Sequence, residues 1–255
     1  MDLGLRGARA LVTGGSAGLG AAVARSLAEE GARVAVAARQ SERLDGLATE
    51  IGATAIGVDL SSAEGPAEAV RAAIAALDGL DLLLVNSGGP PPGKFEDLTD
   101  EAWQRALDGT LWSTVRLIRA ALPSLRESEF GSVLVILSSS VREPITALTT
   151  SNFLRPGLAG LIKSLVPEIA PVRINGIAPG RVATDRIATL DAGRAQSAGI
   201  SVEEVQQQSI SRIPLGRYGD AAEVGRVGAF LLSPAASYVT GAIVAVDGGM
   251  VRSLP

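Results

Sequence analysis

Short runs of β-branched and leucine residues alternate along this chain with longer segments whose apolar positions recur every three or four residues. The short runs predict strands at Ala8–Thr13, Arg33–Ala38, Ala53–Val58, Asp81–Asn86, Ser132–Ser138, Val172–Ala178 and Ala242–Val246. Their apolar residues are nearly continuous, which fits strands covered on both faces, and strand–helix alternation is the pattern of βαβ units around a parallel sheet. The fold class is therefore α/β, a single doubly wound sheet of seven strands with helices on both faces. The clearest helix follows Thr99, where Trp103, Leu107, Leu111, Val115, Ile118, Leu122 and Leu125 form a broad apolar face. A helix from Ala21 to Glu30 follows the first strand, and another spans Asp220–Leu232. Between the sixth strand and that helix lies a polar excursion, Ala183–Arg212, in which Ser201-Val202-Glu203-Glu204 reads as a capping box opening a helix over Val202–Ser211. An excursion of this length in a compact domain reads as a substrate lid. No repeat or linker interrupts the chain, so residues 1–255 read as one domain.

Composition narrows the chemistry. Of 255 residues 47% are hydrophobic and 20% charged, a core-forming balance. The formal net charge is -4, which supplies no basic field for a nucleic-acid partner. The absence of His and Cys removes imidazole bases, thiol nucleophiles, disulfides and the usual nitrogen and sulfur ligands of zinc or iron, so no metal is expected. Chemistry must rest on hydroxyls, carboxylates, amines, guanidinium groups or a bound cofactor. The strongest apolar runs, Leu82–Val85 and Val133–Leu137, are far shorter than the roughly 20 residues of a membrane helix, so no membrane partner is expected. The first residues do not read as a signal peptide, and the expected location is the cytoplasm.

Between the first strand and the first helix lies Thr13-Gly14-Gly15-Ser16-Ala17-Gly18-Leu19-Gly20. Such glycines let the chain turn tightly and bring its amides close to a pyrophosphate at a helix N-terminus. Taken alone, an ordinary strand-to-helix turn asks for the same residues. The Thr-Gly-x-x-x-Gly-x-Gly spacing resembles the cofactor loop of the short-chain dehydrogenase/reductase family, and further marks follow in order. Asp59-Leu60 looks like that family's adenine-contacting pair, and Asn86-Ser87-Gly88-Gly89 is similar to its Asn-Asn-Ala-Gly. Pro179-Gly180 with Val182 and Thr184 matches the segment that holds the nicotinamide amide. Pro214-Leu215-Gly216-Arg217 and Val246-Asp247-Gly248-Gly249 match signatures near its C-terminus. The resemblance covers nearly the whole chain. It implies a Rossmann-type domain, a nicotinamide cofactor, a small-molecule carbonyl or alcohol substrate, and a homo-oligomer, commonly a tetramer.

Cofactor choice is read at the end of the second strand, where an acidic side chain accepts from a ribose 2′-hydroxyl. Here Arg39 stands after Ala38 and offers charge-assisted bonds to a 2′-phosphate, so NADP(H) is expected over NAD(H). The catalytic positions depart from the family pattern of Ser, Tyr, Lys and Asn. Counting along that pattern, the resemblance implies Ser138 at the serine position, Ser151 at the tyrosine, Arg155 at the lysine that also holds the nicotinamide ribose, and Thr110 at the asparagine. Ser151 and Arg155 share one helical face. Arg155 keeps the charge without exchanging a proton, and an aliphatic hydroxyl is a far weaker acid than a phenol. A water bridging Ser138 and Ser151 would supply a proton path. Pro156 predicts a kink or a restart of that helix. The Ser-Asn-x-x-Arg pattern of Ser151–Arg155, with Asn86-x-Gly-Gly-Pro upstream, resembles a branch labelled 3-oxoacyl-(acyl-carrier-protein) reductase-like. Two readings stand: a reductase with an atypical proton donor, or an NADP(H)-binding protein without turnover, either a redox sensor or a partner subunit. Pro90-Pro91-Pro92-Gly93 and the excursion frame the substrate pocket, and Arg142, Arg181 and Arg186 read either as contacts to an anionic substrate or as solvated surface groups.

Overall fold

A computed structural model describes residues 2–253. In chain order the elements are β1 (Arg9–Thr13), α1 (Gly18–Glu29), β2 (Arg33–Ala38), α2 (Glu42–Ile51), β3 (Thr54–Gly57), α3 (Gly65–Leu77), β4 (Leu82–Val85), α4 (Asp100–Ala106), α5 (Ser113–Glu127), β5 (Ser132–Ile136), α6 (Thr149–Ile169), β6 (Arg173–Pro179), α7 (Asp185–Ala198), α8 (Val202–Ile210), α9 (Ala221–Leu232) and β7 (Ile243–Val246). The sheet order is β3-β2-β1-β4-β5-β6-β7, and every neighbouring pair is parallel. The seven predicted strands are all present. β2 has its predicted bounds and β6 is shifted by one residue, while the other five are shorter, so Asn86 and Ser138 lie in the loops that follow β4 and β5.

Alternation along the strands divides the core in two. Leu11, Leu83, Val133 and Val135 face α3, α5 and α6, meeting Val70, Leu117, Ile118, Leu158 and Ile162. Ala10, Val12, Leu84, Leu134 and Ile136 face α1 and α9, meeting Val23, Leu27, Val224 and Leu231. Leu11, Leu84 and Leu134 are fully buried, and each such side chain contributes about 2–3 kcal/mol through its burial. α1 and α9 approach closely because Gly225 has no side chain: a Cβ there would lie 2.6 Å from the Ala22 carbonyl oxygen.

The helix predicted after Thr99 forms with a difference. Thr99 caps it, but the segment Leu107–Trp112 winds as a π-turn between α4 and α5. The extra residue rotates the apolar face. Ala102, Ala106, Thr110, Leu117, Ala121 and Leu125 enter the core, whereas Trp103, Leu107, Leu111, Val115 and Leu122 are half-buried. α6 runs unbroken through Pro156 and Pro167. Both prolines lie on its exposed side, where water serves the carbonyls they leave unpaired. The polar excursion holds two helices. α8 opens with the predicted capping box. α7 lacks an apolar period strong enough to announce it, yet it is delimited by Thr184 as N-cap and Gly199 in the left-handed region as C-cap.

Candidate active site

β1's neighbours lead away on opposite sides, so the loops after β1 and β4 diverge and open a crevice at the C-terminal edge of the sheet. Thr13 ties these loops together: its hydroxyl donates to the Leu84 carbonyl at 3.0 Å and accepts from the Asn86 N–H at 3.0 Å. The Asn86 amide donates to the Gly14 carbonyl at 2.9 Å. Gly14, at φ 57°, passes so near Asn86 that a Cβ would stand 2.1 Å from its carbonyl oxygen, and a Cβ on Gly20 would stand 2.5 Å from the Gly14 carbonyl. No side chain caps α1, whose N-cap is Ala17, whereas Ser41, Thr99, Thr184, Ser201 and Asp220 cap α2, α4, α7, α8 and α9. Its first amides, from Gly18, Leu19 and Gly20, therefore remain open beside Ser16, the arrangement that receives a pyrophosphate. A Cβ on Gly18 would meet only the Thr184 side chain, at 3.7 Å. Arg43 and Asp185 pair at 2.6 Å across the same end of the crevice, joining α2 to α7.

Around this loop the remaining cofactor candidates fall at the same edge of the sheet. Arg39 is exposed at the end of β2 and has no hydrogen-bond partner among the described residues. Asp59 follows β3, and the Ser61 N–H and hydroxyl, with a smaller contribution from the Arg39 charge, hold its carboxyl below the usual range. Leu60 is half-buried beside it, and Gly88 is exposed after β4. Pro179 ends β6 and Gly180 follows, its N–H donating to the Val246 carbonyl at 3.0 Å; a Cβ on Gly180 would lie 2.6 Å from that of Asp247. Val182 is buried and pairs with Gly219. Thr184 accepts from the Ile187 N–H. The loop amides, the free Arg39 and this last segment fit a dinucleotide.

The hydroxyl that meets Ser151 is that of Ser140, at 3.3 Å, with both residues buried. Ser138 instead accepts from the Ser140 N–H at 3.1 Å and opens the 3₁₀ turn Ser139–Val141. Three consecutive serines end this segment, and counting thirteen residues back from Ser151 reaches the first of them. Ser138, at the serine position by spacing, and Ser140 thus stand on one short turn facing Ser151. Arg155 is buried, with Nη1 donating to the Ile136 carbonyl at 2.5 Å, its one hydrogen bond among the described residues. Burial, and after it the charge of Arg186, pull its guanidinium down to about 10. Thr110 lies buried within the π-turn, and its carbonyl accepts from the Thr114 hydroxyl at 2.7 Å.

Around these groups the surrounding loops are braced. The Asn152 side chain accepts from the Ile145 N–H at 2.9 Å and donates to the Ile145 carbonyl at 2.8 Å, holding the 142–148 loop as a β-ladder partner would. Thr150 donates to the Pro91 carbonyl, Gly93 bridges Leu148, and Arg186 donates to the Pro90 carbonyl at 2.7 Å. Asp191, buried in α7, accepts from Arg181 and from the Tyr218 hydroxyl. Asn152 is the second residue of the Ser-Asn-x-x-Arg pattern, though its bracing of this loop was not read from sequence; Asp191 carries no motif.

Residues 14–251 match the family described as enoyl-(acyl carrier protein) reductase. The chain belongs to the short-chain dehydrogenase/reductase family of oxidoreductases. It is 33% identical over 258 residues to a 3-oxoacyl-(acyl-carrier-protein) reductase of Aquifex aeolicus, covering 98% of this chain and 100% of that one. It is 32% identical over 252 residues to a 2,5-dichloro-2,5-cyclohexadiene-1,4-diol dehydrogenase of Sphingobium indicum, covering 96% of each. Among solved structures of the short-chain dehydrogenase/reductase fold, L-sorbose reductase of Gluconobacter frateurii complexed with NADPH and L-sorbose superimposes with a TM-score of 0.92 at 28% identity over 100% of both chains.

Proposed function

We propose that this short-chain dehydrogenase/reductase is an NADPH-dependent reductase that converts a small carbonyl compound to a secondary alcohol, in the manner of a 3-oxoacyl reductase. The observation that carries the reading is the meeting, on one sheet edge, of an uncapped glycine-rich helix start with the buried Ser140–Ser151 pair and Arg155. NADPH, when bound, would supply the hydride for the carbonyl carbon. The open amides of α1, Thr184, Arg39, Asp59, Leu60 and Arg155 would hold it, Arg39 through the 2′-phosphate, Asp59 and Leu60 at the adenine and Arg155 through the nicotinamide ribose. Ser138 and Ser151, with Ser140 beside them, polarise the carbonyl oxygen and hold a water that gives this oxygen its proton, with Thr110 in the helix behind. Such a donor is weaker than a phenol, yet placing hydride and carbonyl in contact supplies about 7–11 kcal/mol, more than the 10²- to 10⁴-fold that general acid catalysis typically gives. The substrate enters between Pro90–Gly93 and α7–α8, which serve as the lid, and the working form is a homotetramer.

NADPH and NADH titrations of the purified protein, followed by oxidation assays on a carbonyl panel that includes a short 3-oxoacyl thioester, test this. Arg39→Ala is expected to weaken NADPH about 10- to 100-fold and leave NADH nearly unchanged. An unaltered ratio overturns the cofactor assignment. Tight NADPH binding with no oxidation on any carbonyl makes the chain a nucleotide-binding sensor or partner subunit instead.

A further inference from the structure

We propose that the carbonyl substrate carries a carboxylate or a phosphate, and that Arg186 grips this anionic group beside the reacting carbon. The inference rests on the reductase reading and names the substrate class of the same site.

Arg186 stands in the first turn of α7 and reaches back over the turn after β4, where it donates to the Pro90 carbonyl at 2.7 Å. Its guanidinium lies 3.0 Å from where a Cβ on Gly89 would be, so glycine gives it room. The next residue, Pro91, is bonded by Thr150, the neighbour of Ser151. Arg186 is therefore tied, through Pro90 and Pro91, to the segment that carries Ser151. The neighbour that Gly18 of the α1 start faces is Thr184.

Charge points the same way. Arg9, Arg25, Arg43, Arg181 and Arg217 each pair with a carboxylate. Among the described residues neither Arg155 nor Arg186 has one, although the two are close enough for the charge of one to disfavour that of the other. Arg155 is buried and Arg186 is exposed but loses part of its hydration to its neighbours, and like charges so placed are eased when an anion joins them. Arg186 spends one donor on Pro90, and the others remain free for the two-pronged grip that carboxylates and phosphates accept. The reaction is unaltered: a hydride from NADPH adds to the carbonyl carbon, the oxygen takes a proton from water, NADP+ remains, and the anionic group stays intact.

The test uses the full chain and two matched pairs, acetoacetate with methyl acetoacetate and dihydroxyacetone phosphate with dihydroxyacetone. It compares kcat/KM within each pair for the wild type, Arg186→Gln and Arg186→Lys. Binding of 3-hydroxybutyrate and of glycerol 3-phosphate to the NADPH-saturated protein is followed by calorimetry. The charged member of one pair is expected to be preferred at least about tenfold, which also tells carboxylate from phosphate. Arg186→Gln is expected to cut that preference about 10- to 100-fold, and Arg186→Lys to restore part of it. The matching product anion is expected to bind the wild type and not Arg186→Gln. Equal use of charged and neutral members, an equal loss on both in Arg186→Gln, or a loss confined to NADPH affinity overturns the proposal. Oxidation of NADPH by neutral ketones alone overturns it and leaves the reductase reading standing; failure to bind NADPH removes both.

Discussion

Ser140 and Ser151 bring two aliphatic hydroxyls within 3.3 Å inside the protein, and neither gives up a proton readily by itself. If they act as one holder of substrate oxygen and water, removing either breaks the same arrangement. Ser140→Ala and Ser151→Ala are each expected to lower kcat about 10- to 100-fold with NADPH affinity unchanged, and the double variant to lose little more than one of them. Additive losses in steady-state assays refute a joint role. Arg155 presents a different test because its charge is held at about 10 by burial and then by Arg186. The group is protonated below that value, so it is a cation at neutral pH and loses its charge only as pH climbs through about 10. NADPH affinity is therefore expected to stay level from about pH 6 to about 9 and to weaken beyond. Arg155→Met should bind more weakly throughout and lack the alkaline decline in fluorescence titrations; a decline that persists there places its origin elsewhere.

At the level of elements, one buried guanidinium closes the far end of the sheet. Arg173, at the start of β6, donates to the carbonyls of Leu231, Leu232 and Ser233 at 2.9 Å and of Val239 at 3.3 Å, so it serves the last turn of α9. Arg173→Met leaves those carbonyls unserved and is expected to destabilise the fold by about 2–4 kcal/mol in urea unfolding, without changing the NADPH/NADH ratio. A loss under about 1 kcal/mol means that water replaces it. The strands and the glycine-rich loop were legible in the sequence because a two-sided sheet and a tight turn leave strong local marks. The π-turn at Leu107–Trp112 was not, since a helix with one surplus residue keeps an apolar spacing of three and four while its core face changes. α7 escaped for another reason: its buried residues are only Ala195 and Asp191, the latter held by Arg181 and Tyr218. Spacing pointed to Ser138; that Ser140 of the same run also meets Ser151 depends on how α6 packs against the end of β5, which spacing does not carry.

On the scale of the molecule, the surface left by this packing is unusual along α4, α5 and α6. Trp112 is 42% and Phe153 63% exposed, Trp103 stacks edge-on against Phe153 at 5.8 Å, and the half-buried Leu107, Leu111, Val115 and Leu122 lie on α5 and the π-turn before it. At the sheet's edge β7 offers unpaired backbone groups beside half-buried Ile243 and Val244, a surface that folded proteins ordinarily cover. The homotetramer proposed above would cover both. Light scattering is expected to give a tetramer mass, and Trp112→Glu with Phe153→Glu to lower it; a mass near the 25.9 kDa chain in the unaltered protein refutes this. Arg39, Arg155 and Arg186, guanidinium groups along the crevice that have no acidic partner among the described residues, have a consequence for how fast the crevice fills. The chain as a whole is acidic, with a net charge of -4, so an anion approaching at random is turned away from most of its surface. The unpaired guanidinium groups of the crevice attract it. A field of that shape steers negatively charged molecules to one opening, and since the range of such attraction is about 8 Å in physiological salt, the capture rate of the nucleotide is set by the ionic strength of its surroundings as much as by the fit of its pocket.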